Sequence, residues 1–204
     1  MIEWVPRGAA LQQSREQRRI YTKSGDDGYT TCLLTGGRVP KTHPCIEFVG
    51  ALDEAEAALG LAQSLLETST ASRDAGRYAR ILEYMQVLLF RAGFTLAGRS
   101  CVDSGDINHI EELIDELSVF IKPLFTINGG HPAAAATSYA RAVIRRAERS
   151  LWRCIEAIDG DIPEQYRIVA RLLNRLSDLA YALQHAINAG FGVHVKRVDC
   201  KSKS

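Results

Sequence analysis

Eleven residues near the start of the chain run Tyr21-Thr22-Lys23-Ser24-Gly25-Asp26-Asp27-Gly28-Tyr29-Thr30-Thr31. They combine hydroxyls, two glycines, two carboxylates and a lysine with almost no apolar content. No core can be built from such a segment. Glycines let backbone N–H groups converge on an anion, and hydroxyls and an ammonium add donors. The composition points to a phosphate cradle.

Cationic groups that would complete such a site lie far downstream. Arg141, Arg145 and Arg149 are spaced by four, and Glu148 lies three beyond Arg145. At about 3.6 residues per turn they share one helix flank. One glutamate relieves only part of the repulsion among three guanidiniums, so the flank reads either as an anion-binding surface or as a solvated helix face. Arg171, Asn174, Arg175 and Asp178 form a second polar stripe, opposite Leu172, Leu176, Leu179 and Leu183. A salt-bridged surface helix explains that stripe equally well, but asparagine is a poor helix former and is its odd member. Asp53 and Glu54 follow Gly50 and read either as a partner for an arginine across a helix or subunit boundary, or as a solvated acidic turn.

Several chemistries are excluded. The chain has no G-x-x-x-x-G-K-[ST], no Glu-x-x-His pair and no H-E-x-x-H, and nothing resembles a serine or cysteine triad. His43, His109, His131, His185 and His194 are scattered, which suits surface or capping roles better than metal ligation.

The elements that must position these residues follow from apolar periodicity. Helices are expected over about 44–67, 73–96, 107–119, 132–158 and 163–190. Pro132 fits a first helical turn. Gly98 to Gly105 and Asp159-Gly160-Asp161 read as breaks, and Gly36 to Lys41 as irregular backbone. The tail from Phe191 is expected to be a short strand or disordered. The fold class is all-α: an up-and-down five-helix bundle with an N-terminal nucleotide-binding loop. Its expected divisions are a flexible arm at 1–19, a bundle domain at 20–190 and a tail at 191–204. With 204 residues the chain suffices for one core. Its 25 basic and 24 acidic residues call for neither nucleic acid nor an anionic membrane. No apolar run is long enough to span a bilayer. Five widely spaced cysteines, an odd number, argue against a disulfide framework and for a reducing, cytosol-like compartment.

Three blocks together resemble the PduO-type ATP:cob(I)alamin adenosyltransferases. They are Tyr21 to Gly28 with Thr30, Arg38 and Lys41; Arg141 to Arg149; and Asn174-Arg175-Leu176-Ser177-Asp178. The likeness spans about residues 20–190. It implies transfer of the 5′-deoxyadenosyl group of ATP to cob(I)alamin, giving adenosylcobalamin and triphosphate, in a homotrimer with active sites between subunits. It implies that Tyr21, Thr22, Lys23, Ser24, Gly25, Asp26, Gly28, Thr30 and Lys41 hold the triphosphate. Arg145, Glu148, Arg149 and Asn174 would surround ATP and its magnesium, with Glu148 nearest the metal. Arg141 and Asp53 would form an intersubunit ion pair, Asp178 a structural partner in the same region. Phe125 would pack beneath the corrin and keep the lower axial ligand off cobalt. Arg141, Arg145, Phe125 and Asp53 are thus the expected catalytic set. Three positions depart from the family pattern: Asn128 stands where a proline is usual, Ile144 for a cysteine and Glu56 for an asparagine.

The resemblance further implies a cytoplasmic or mitochondrial-matrix setting. It also implies a flavoprotein reductase and an adenosylcobalamin-dependent enzyme as partners. A non-catalytic ATP- or cobalamin-binding protein that delivers or senses the cofactor remains the alternative.

Overall fold

A computed structural model describes residues 20–69, 72–122, 125–158 and 161–198. The expected arm at 1–19, the break at Asp159-Gly160 and Cys200 lie outside the described residues. Between the opening loop and the first helix the chain forms an antiparallel hairpin, β1 (Tyr29–Cys32) and β2 (Gly37–Pro40), with Tyr29 opposite Pro40 and Cys32 opposite Gly37. This corrects the irregular backbone expected at 36–41. Four-residue strands leave too short an alternation to register, and Gly36, at φ +71°, supplies the left-handed residue that closes the turn. Cys32 is buried and pins the hairpin to the helical core.

Five helices follow: α1 (Pro44–Glu67), α2 (Ala75–Leu96), α3 (Ser104–Leu117), α4 (Pro132–Glu156) and α5 (Glu164–Gly190). Two of them begin with the same device. Pro44 and Pro132 open α1 and α4, and the preceding His43 and His131 each turn Nδ1 back to accept a backbone N–H, from Cys45 (3.1 Å) and Ala133 (3.2 Å). The proline gives up an N–H that has no helical partner, and the histidine satisfies another. α3 begins three residues before the expected Ile107, because Asp103 and Asp106 form a reciprocal capping box around its first turn. It ends in a short 3-10 turn, Ser118–Phe120.

α1 packs between α2 and α4, and α4 between α1 and α5, while α5 also touches α2 and α3. Phe48, Leu59, Leu82, Met85, Leu88, Ile144, Leu151, Leu172, Leu176 and Leu183 are fully buried in this core. Burying each such side chain contributes about 1.5–3 kcal/mol. Polar clamps set the helix positions. Arg91 grips Asp106 with two bonds of 2.7 and 2.8 Å and donates to the Cys101 carbonyl at 2.6 Å, fixing the α2–α3 connection. Arg77 pairs with Glu116 across α2 and α3.

Cys45, in the first turn of α1, and Cys154, near the end of α4, form a disulfide across 109 residues. A single bridge thus stands where the number and spacing of the cysteines argued against a disulfide framework. Wide sequence spacing hides the pair, because only the antiparallel packing of α1 on α4 brings the two ends together.

Candidate active site

The opening loop is closed on itself. Thr22 Oγ1 and Ser24 Oγ lie 2.7 Å apart, and the Gly28 N–H donates to the Gly25 carbonyl at 3.3 Å. Lys23 takes φ +62°. Arg38 of the hairpin and Lys41, just past it, hold the loop from outside. Arg38 donates to both Asp27 carboxylate oxygens at 2.6 Å and to the Ser24 carbonyl at 2.9 Å. The Lys41 N–H donates to the Gly28 carbonyl at 2.8 Å. The Lys41 ammonium lies so close to Gly25 that a Cβ there would sit 3.2 Å from Nζ. Gly25 therefore admits the lysine into the cradle. The Tyr29 N–H and then the Arg38 guanidinium hold the Asp27 carboxyl below its ordinary pKa, so it stays ionised and keeps its grip on Arg38. Thr22, Lys23, Ser24, Asp26 and Gly28 thus line one loop whose shape Asp27, Arg38 and Lys41 set. Tyr21 is exposed at its start, and Thr30 sits in β1.

The arginine flank lies where α4 meets α5. Glu148 accepts from the Asn174 amide at 3.4 Å, and Arg175 donates to the Asn174 carbonyl oxygen at 2.9 Å and to Glu111 of α3 at 2.7 Å. Asn174 is therefore oriented from both sides, which answers why a poor helix former stands there. Arg145 and Arg149 are exposed and form no ion pair among the described residues. Arg141 lies over the Tyr181 ring, 5.2 Å from its centroid. The arginine that α4 does neutralise is Arg146, paired with Glu54 of α1.

Asp53 is on the other side of α1, where it lines a cavity of about 330 Å³ with Thr31, Ile46, Glu56, Phe90 and Phe94. It does not meet Arg141 within the chain: neither residue forms an ion pair among the described residues. Asp178 is exposed and likewise unpaired among them.

Phe125 is 86% exposed at one end of the bundle. Two features hold it there. The tail runs alongside, its Val198 N–H donating to the Phe125 carbonyl at 3.0 Å and its Lys196 carbonyl accepting from Ile127 at 2.9 Å. Below, Asn188 of α5 accepts from the His131 N–H at 2.9 Å and donates to the Gly129 carbonyl at 3.0 Å. Gly130, at φ +96°, leaves no room for a Cβ, which would sit 2.3 Å from Asn188 Oδ1. The tail expected as a short strand or disorder is thus an antiparallel bridge between Thr126 and Arg197.

Nothing in the residue spacing marks Asp27, Arg38 and Asn188 as braces. Asp27 and Arg38 are 11 residues apart, and Asn188 reaches back 57 residues to His131. Only Gly129-Gly130, which marks a tight backbone, hinted at a contact.

Residues 20–187 match the family model for cobalamin adenosyltransferase. The chain is 37% identical over 177 residues to the corrinoid adenosyltransferase PduO of Citrobacter freundii, covering 82% of this chain and 49% of that protein. It therefore spans about half the length of that relative. It is 34% identical over 186 residues to the corrinoid adenosyltransferase of Mycobacterium leprae, covering 84% of this chain and 92% of the relative. A solved variant of the PduO-type ATP:corrinoid adenosyltransferase from Lactobacillus reuteri, complexed with cobalamin and ATP, superposes with a TM-score of 0.76 at 26% identity, covering 91% of this chain and 98% of that one. The match runs from the opening loop through both polar stripes, and this chain belongs to the cobalamin adenosyltransferase family.

Proposed function

We propose that the chain transfers the 5′-deoxyadenosyl group of ATP to cob(I)alamin. The observation that carries this reading is the placement of Arg145, Arg149, Glu148 and Asn174 on one α4–α5 face, in a chain that also carries a closed, Lys41-braced loop. Two anion-binding parts suit a reaction whose nucleophile is the substrate's own metal. Co(I) attacks the ribose C5′, the Co–C bond forms as the C5′–O bond breaks, and the electron pair leaves with triphosphate. No side chain has to take a proton. The loop, Lys41 and the arginines hold the triphosphate and stabilise its growing charge, and they align C5′ over cobalt. Phe125 meets the lower face of the corrin, excludes an axial ligand and so eases reduction of Co(II) to Co(I). The cobalt performs the difficult step and the protein supplies geometry.

Among the described residues no three His, Cys, Asp or Glu side chains cluster as a metal cage. The Glu148 carboxylate beside the Asn174 amide fits a magnesium ion that takes most of its ligands from phosphate and water. That ion would neutralise the leaving group, and Asn174 keeps Glu148 aimed at it.

Three copies assembled as a ring would let Asp53 of one reach Arg141 of the next. The unpaired state of both residues within the chain supports that reading. The described helices include none long and apolar enough to cross a membrane. A reductase and an adenosylcobalamin-dependent enzyme are the expected neighbours in the cofactor's path.

The test is direct. Cob(I)alamin mixed with ATP should lose its Co(I) absorbance and yield adenosylcobalamin with one equivalent of triphosphate. Binding of ATP without any Co–C product would instead support the carrier or sensor reading. The placement of Glu56 beside Asp53 in the apolar cavity favours that alternative.

A further inference from the structure

A second cavity, of about 350 Å³, opens between the end of α5, the 3-10 turn and the tail. Lys122, Thr126, His185, Asn188, His194 and Arg197 are among the residues that line it. Lys122 and Arg197 bring two permanent positive charges, and no aspartate or glutamate is among the lining residues. His185 is only 9% exposed, and its Nε2 has no hydrogen-bond partner among the described residues. A buried nitrogen left unpaired costs free energy unless a ligand or water satisfies it. Burial lowers the His185 pKa, so the ring serves as a neutral hydrogen-bonding group and not as a third cation. Its lining includes Thr126, which directly follows Phe125, and Arg197, whose neighbour Val198 bonds to the Phe125 carbonyl. The cavity therefore adjoins Phe125.

We propose that this cavity binds a phosphate ester, and that the ester is the phosphodiester in the nucleotide tail of the corrinoid. The inference rests on the adenosyltransferase reading. When Phe125 takes the lower face of the corrin, the displaced base swings away on its tether, and the tether carries one negative charge. Arg197 and Lys122 neutralise that charge in the cavity, and the Thr126 hydroxyl and His185 add neutral contacts. The assignment gives the chain a means of preferring a complete corrinoid over one without a tail.

The experiment compares cob(I)alamin with cob(I)inamide, which lacks the nucleotide and its phosphodiester, in the wild type and in Arg197→Ala, Lys122→Ala and the double variant. The KM for cob(I)alamin should rise by roughly tenfold or more in the double variant, the loss of two charge-assisted contacts. The KM values for cobinamide and ATP should not move, and Arg197→Lys should restore part of the loss. Equal losses with both corrinoids would overturn the proposal, as would no loss with either. Weaker inhibition by added inorganic phosphate or triphosphate, with tail discrimination intact, would also overturn it by reassigning the cavity to a free anion. A wild-type chain that adenosylates neither corrinoid would instead refute the activity itself.

Discussion

Arg145 is the residue whose role is easiest to separate from its structural setting. It is exposed and forms no ion pair among the described residues, so Arg145→Ala should leave the unfolding temperature nearly unchanged while cutting turnover by roughly a hundredfold or more, as loss of a transition-state charge contact does. Full activity would return the arginine flank to a solvated face. Phe125→Ala should keep ATP affinity and slow adenosylation mainly when the reaction starts from Co(II), with a smaller loss from pre-reduced Co(I). Asn188 braces the Phe125 loop through the His131 N–H and the Gly129 carbonyl. Asn188→Ala should reproduce the Co(II)-selective defect of Phe125→Ala and also lower stability by about 1–3 kcal/mol, from two lost hydrogen bonds that leave a backbone N–H and carbonyl unpaired. An equal loss from Co(I) and Co(II) would reduce Asn188 to a purely structural brace. Sequence spacing showed which residues share a helix face, so Arg145, Glu148 and Arg149 were legible as one flank and Asn174 as part of a second stripe, and only the family resemblance joined the two. It carried no information on cross-chain partners, and so Asp27–Arg38 and Asn188–His131 emerged only with the fold.

At the level of elements, the helix starts determine where the site residues point. α4 carries the arginine flank, and its first turn depends on the neutral His131 ring, which accepts the Ala133 N–H and stacks on Phe191 at 3.9 Å. Burial lowers the His131 pKa from its ordinary 6.5. The unfolded chain thus binds a proton more readily, and the stabilisation is full above 6.5 and is lost as pH falls through the lower folded value. His131→Asn should keep a capping acceptor and reduce the loss of thermal stability between pH 7 and pH 5, leaving the share due to the similarly depressed His185. An unchanged pH profile would show that His131 is not the sensitive group. Helix α1 was legible in full, from Pro44 to Glu67, because long apolar periodicity and a proline mark it. α3 was read short at its start, since Asp103 and Asp106 look like an acidic loop until their reciprocal bonds are seen. The hairpin was missed because four residues cannot establish a period.

At the level of the whole molecule, one covalent tie acts over a long distance. The Cys45–Cys154 bridge joins the start of α1, just past the Lys41 loop, to the end of the arginine helix. Closing a loop of that length restricts the unfolded chain by about 4–5 kcal/mol in the chain-entropy account. Its effect is to hold the start of α1 and the end of α4 of one copy at fixed separation. The proposed ring predicts complementation. Lys41→Ala and Arg145→Ala copies, each inactive alone, should regain activity when refolded together, because some sites would then combine an intact loop with a neighbour's intact arginine. Mixed oligomers that stay inactive would place both residues in a site within one chain.

The tail bridge has a consequence for observation. The Val198 amide hydrogen is committed to the carbonyl of Phe125, the residue proposed to face the corrin. Its exchange with deuterated solvent therefore follows the motion of that residue and should slow when cobalamin docks against Phe125. A single proton near the end of the chain becomes a clock for occupancy of a site built mostly from residues far earlier in the sequence.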